Sequence, residues 1–89
     1  MKRITTLVVR EEKFEIVHYM DRYCAINTKY IENGRLVKQL NGLQMHARNT
    51  LAECIDETRM SVEVKYMVDE LGMTIEDAIK EYYRKEMAV

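Results

Sequence analysis

Apolar and polar positions alternate through the first half of the chain and then change period. Ile4 to Val9 is a short run rich in β-branched residues, too short for a helix, and reads as a strand. Past the polar break Glu11-Glu12-Lys13, the residues Phe14, Ile16, His18 and Met20 alternate as a strand does. Glu11, Glu15, His18 and Arg22 would also align on one side of a helix. The strand-like segments on either side decide for the strand.

Tyr23 to Leu40 contains two β-prone runs around Glu32-Asn33-Gly34. A two-residue turn at Asn33-Gly34 would set Lys29 opposite Lys38, and like charges directly opposite are unfavourable. A three-residue loop with a bulge at Gly34 in the left-handed conformation shifts the register by one. Cys24, Ile26, Tyr30, Leu36 and Leu40 then share one face, and Asn27, Lys29, Arg35 and Gln39 the other. The bulged hairpin is therefore the expectation.

Asn41-Gly42 ends the sheet pattern and a helical period follows. Leu43, Ala47, Leu51, Cys54 and Ile55 form one apolar stripe, and Met60, Val64, Met67, Val68 and Leu71 a second on roughly the opposite side. A single helix from Leu43 to Leu71 would be about 43 Å long. A chain of this size is about 30 Å across when compact. The helix is thus expected to break near Asp56 to Ser61 or to bury its far end against another molecule. Gly72 suits a helix end. Thr74, with Asp77 three residues on, suits the next helix start, whose apolar stripe is Ile75, Ala78, Ile79, Tyr82 and Tyr83.

The expected fold class is α+β: an antiparallel sheet of three or four strands in the N-terminal half, followed by two or three helices ending in a helical hairpin. Residues 1–89 are expected to form a single domain, β-rich over 1–41 and helical over 42–89.

Composition narrows the class without naming an activity. The chain is 47% hydrophobic and 33% charged, which suits a globular domain and is too apolar for a disordered one. No apolar run approaches the ~20 residues of a membrane span, so no membrane partner is expected. The basic start Met1-Lys-Arg leads into an apolar run too short for a secretory signal, and the two cysteines, Cys24 and Cys54, have no disulfide-framework spacing. A cytoplasmic location with reduced thiols is the expectation. Residues 1–40 carry eight Lys+Arg against five Asp+Glu, and residues 41–89 six against ten, so +3 and −4. Such a split can steer a partner or draw two copies together.

Candidate chemistry is thin. His18 and Cys24, and His46 and Cys54, have spacings unlike a short zinc knuckle. There is no glycine-rich phosphate loop, no Gly-x-Ser-x-Gly elbow and no His-Glu-x-x-His helix. No catalytic residue, cofactor or metal is therefore expected, and the chain is expected not to be an enzyme. The leading expectation is a small protein-interaction module, homodimeric through its helical region, with Met60, Val62, Val64, Tyr66 and Met67 at the interface and an unidentified protein as a further partner. Seven methionines and the two-sided helical region, with Val62 and Tyr66 belonging to neither stripe, carry that reading. The alternative is a nucleic-acid-associated regulator using a basic hairpin face of Arg22, Lys29, Arg35 and Lys38, which would bind in a salt-dependent way. The net charge of −1 weighs against it. A small enzyme with an unfamiliar site ranks last.

Overall fold

The structure, a computed structural model, describes residues 2–33, 35–36 and 46–87. The chain divides into two compact units, Met1–Thr58 and Arg59–Val89.

The first unit is built on a four-stranded antiparallel sheet. Strands β1 (Lys2–Val9), β2 (Glu12–Tyr19), β3 (Arg22–Asn27) and β6 (His46–Arg48) lie in the order β1-β2-β3-β6. The alternation that begins at Phe14 is thus that of a strand, as expected, and Met20 already belongs to the turn that follows. Two-residue loops join the first three strands: Val9 faces Glu12, and Tyr19 faces Arg22. In the second loop Met20 (φ 51°) and Asp21 (φ 61°) are both left-handed, the backbone of a type I′ turn, although neither is glycine or asparagine. A bulge between Arg3 and Thr5 shifts the register of β1 near its start.

Cross-strand pairs put Leu7, Phe14, Ile16 and Ala25 on one face of the sheet, and Val17, Cys24 and Ala47 on the other. Apart from half-buried Ala47, all are buried, so the central strands are covered on both faces. That is why β3 carries the uninterrupted buried run Cys24-Ala25-Ile26 in place of strict alternation. On the second face Val17, Cys24 and Ile26 form a cluster with Ile31 and Ala47.

The hairpin expected over Tyr23 to Leu40 is corrected. β3 pairs with β2 and β6, and a 3₁₀ turn, Thr28–Tyr30, ends its run. Asn27 starts that turn: its side-chain oxygen accepts a hydrogen bond from the Lys29 N–H at 3.1 Å. Only then come β4 (Ile31–Glu32) and β5 (Arg35–Leu36), a separate two-stranded ribbon. Its register, Ile31 opposite Leu36 and Glu32 opposite Arg35, is that of a two-residue loop, not of the three-residue bulge. The like-charge objection to that register fails because the 3₁₀ turn takes Lys29 out of the ladder, where its ammonium lies 5.2 Å from the Tyr30 ring centre. The conformation expected of Gly34, and the facing expected of Lys38, Gln39 and Leu40, lie outside the described residues.

The helical reading is also corrected from His46 onward, Leu43 itself lying outside the described residues. Ala47 belongs to β6, opposite Cys24, and helix α1 runs from Leu51 to Asp69. Its start is fixed by Thr50: the Glu53 N–H donates to Thr50 Oγ1 at 3.1 Å, and the Thr50 hydroxyl donates to the Glu53 carboxylate at 3.1 Å. Arg48 then ties β6 to this helix through Glu57 at 2.9 Å. No break occurs between Asp56 and Ser61.

The second unit holds the rest of α1 and helix α2 (Ile75–Met87). Gly72 at φ 70° ends α1, as expected of a residue just past a helix end, and the Met73 N–H reaches back to the Met67 carbonyl at 3.1 Å. The Asp77 N–H donates to Thr74 Oγ1 at 3.1 Å, so Thr74 caps α2 as the sequence predicts. Among the described residues no helix is long and apolar enough to cross a membrane.

Candidate interaction surface

Helix α2 is amphipathic by sequence. Glu76 and Asp77 lie in its first turn and Arg84 and Lys85 in its last, each sign at the end of the helix dipole that favours it. Its apolar positions, Ile75, Ala78, Ile79, Tyr82 and Tyr83, occupy one side. That side is covered unevenly. Ala78 is fully buried and Ile79 and Tyr82 are half-buried, yet Ile75 is 64% exposed and Tyr83 53%. Ile75, Ile79 and Tyr83 follow the i, i+4, i+8 spacing of one ridge along a helix. Leu71, just before the helix, is 58% exposed and adds to the open apolar surface of this unit.

One charged pair flanks the ridge, and a second lies toward the far side of the helix. Glu76 and Lys80 form an i,i+4 ion pair at 3.2 Å, both side chains well exposed. Arg84 Nε donates to the Glu81 carboxylate at 3.0 Å. This hydrogen bond, with the opposite charge of each partner, holds the Glu81 carboxyl below its ordinary range and the Arg84 guanidinium above its own.

The predicted interface residues all lie on α1 and divide into two kinds. Val62 and Met67 are buried within the chain, while Met60, Val64 and Tyr66 are half-buried. Val62 continues the first stripe: Cys54, Thr58 and Val62 are spaced i, i+4, i+8 and all are buried. A threonine in this position hides the pattern from a count of apolar residues. Its hydroxyl donates to the Cys54 carbonyl at 2.7 Å and so is satisfied inside the helix. Met67 lies on the opposite side of α1, as the second stripe requires.

The basic residues of the alternative reading are dispersed over separate elements. Arg22 opens β3 and is exposed, Lys29 is in the 3₁₀ turn, and Arg35 is in β5 opposite Glu32. Lys38 lies outside the described residues. The sheet does line up Lys2, His18, Tyr23 and Arg48 in one cross-strand row, with the His18 and Tyr23 rings stacked at 4.7 Å between centres. The Arg48 guanidinium in that row is already engaged by Glu57 and by the Ala47 carbonyl.

Cys24 and Cys54 are both buried thiols. Desolvation raises both above the ordinary thiol value. Arg22 pulls Cys24 back in part. The neighbouring Cys24 raises Cys54 further, while the Thr58 hydrogen bond and Arg48 lower it. Buried thiols of this kind are poor nucleophiles. Among the described residues no three His, Cys, Asp or Glu side chains converge to hold a metal ion.

A second group of exposed apolar side chains lies in the sheet unit: Ile4 and Val8 on β1, and Tyr19 and Met20 at the β2–β3 turn. Comparison with protein families, curated proteins and solved structures returns no match for this chain.

Proposed function

We propose that this chain is a non-enzymatic protein-interaction module that assembles through its helical region, forming a homodimer. The observation that supports this is the open side of α2. Leu71, Ile75 and Tyr83, three large apolar side chains close in sequence, are each more than half exposed. Fully burying an aliphatic or aromatic side chain of this size is favourable by roughly 1.5–3 kcal/mol, so covering the ridge supplies a driving force for association. The surface differs from the one read in the sequence. Val62 and Met67 are occupied inside the chain, and the ridge of α2 takes their place in the proposal.

Sedimentation equilibrium of the untagged protein, with Ile75→Glu and Tyr83→Glu beside it, tests the reading. Both substitutions fall on exposed positions, so circular dichroism should be unchanged while self-association weakens by tenfold or more, about 1.4 kcal/mol. A wild-type protein that assembles, with variants that assemble equally well, would move the interface elsewhere.

A further inference from the structure

We infer that the ridge of α2 pairs with the same ridge of a second copy, the two helices antiparallel about a twofold axis near Ile79. This rests on the interaction reading above and names its geometry. Helix α2 carries its own complement. Its first turn is acidic, at Glu76 and Asp77, and its last is basic, at Arg84 and Lys85. An antiparallel partner sets the acidic end of each helix beside the basic end of the other and opposes the two helix dipoles. A parallel partner would set like on like at both ends.

The ridge has the same property. A twofold axis near Ile79 places Ile75 of one copy against Tyr83 of the other, so each of the two exposed apolar side chains covers its counterpart. Rows of side chains spaced by four residues interlock in the commonest class of helix crossing, at about −50°. Glu76 and Lys80 lie on the same flank of this row, within one turn of Ile79. The same axis brings Glu76 of one copy toward Lys80 of the other, twice. The Glu76–Lys80 pair within each helix is well exposed and can be shared across the interface without disturbing the core. The contact is smaller than a standard protein interface, so the dimer should form at high micromolar rather than nanomolar concentration.

The test uses the full chain and the variants Glu76→Lys and Lys80→Glu, first separately and then mixed. Alone, each variant places four like charges at its own dimer contact, and self-association should fall about tenfold. Mixed, one chain carries only lysines and the other only glutamates, and a mixed dimer should recover at least the wild-type affinity. An effect acting only within each helix would persist in the mixture, and no recovery would overturn the arrangement. Cysteine cross-linking gives an independent reading. Ile79→Cys should form a covalent dimer under mild oxidation, whereas Ile75→Cys should do so only when mixed with Tyr83→Cys. Ready self-cross-linking of Ile75→Cys would mean a parallel pair and would also overturn the arrangement. In both of these failures the wild-type dimer survives and the interaction reading with it. A wild-type chain that stays monomeric throughout removes both.

Discussion

At the scale of single residues, burial changes what ordinary side chains do. Thr58 is fully buried in a helix, where its hydroxyl bonds to a carbonyl that the helix already occupies. Thr58→Val should therefore leave stability within about 1 kcal/mol of wild type, since the lost hydrogen bond is offset by burial of a methyl group in place of a hydroxyl. Chemical denaturation measures this, and a loss of several kcal/mol would assign the hydroxyl a larger structural role. The two thiols make a pH prediction. Their folded pKa values are raised by desolvation, so below the unfolded thiol value, about 8.5, both states keep the proton and stability is unaffected. Above it the unfolded chain loses protons that the folded chain retains, and stability falls. The denaturation midpoint should drop between about pH 8 and pH 10, by less in a Cys24→Ala, Cys54→Ala variant. An equal drop in that variant would assign the loss to other groups.

At the scale of elements, the helix starts and the strand periods can be read from the chain, while pairing and coverage cannot. Thr74 with Asp77 is legible as a cap, and Thr50 with Glu53 carries the same signal for α1. The apolar period from Leu43 to Leu51 masks that second signal, because Ala47, which fits the period, is a strand residue. The hairpin at 33–34 is located by the sequence but not its register, because the Asn27-capped turn that removes Lys29 from the ladder has no strong sequence mark. The tight turn at Met20-Asp21 is marked only by Asp21, since aspartate tolerates left-handed backbone and methionine does not favour it. Left-handed backbone costs a non-glycine residue roughly 1–2 kcal/mol. Met20→Asn with Asp21→Gly should therefore raise the melting temperature, by about 4–8 °C per kcal/mol recovered in a domain of this size. An unchanged or lower melting temperature would mean that the two side chains repay that cost through contacts of their own.

At the scale of the whole molecule, the α+β class follows from the change of period and is seen, among the described residues, as a four-stranded antiparallel sheet and a two-stranded ribbon in the N-terminal half with two helices after them. The proposed interaction surface is less legible. A covered stripe and an open one look alike in sequence, and only the burial of Ala78 beside the exposure of Ile75 and Tyr83 tells them apart. For the proposed dimer, the uneven charge, +3 over residues 1–40 and −4 over residues 41–89, would add a long-range attraction where unlike regions approach. The polarity of α2 would give the proposed encounter a direction at short range.

The most direct test of this account is the mass of the untagged protein in solution, measured by sedimentation equilibrium as concentration rises into the high micromolar range, with Ile75→Glu and Tyr83→Glu run alongside. Pairing through the α2 ridge should give a wild-type mass that climbs from one chain to two, and variants that remain at one chain with their folded spectra intact. A wild-type mass that stays at one chain across that range would contradict it.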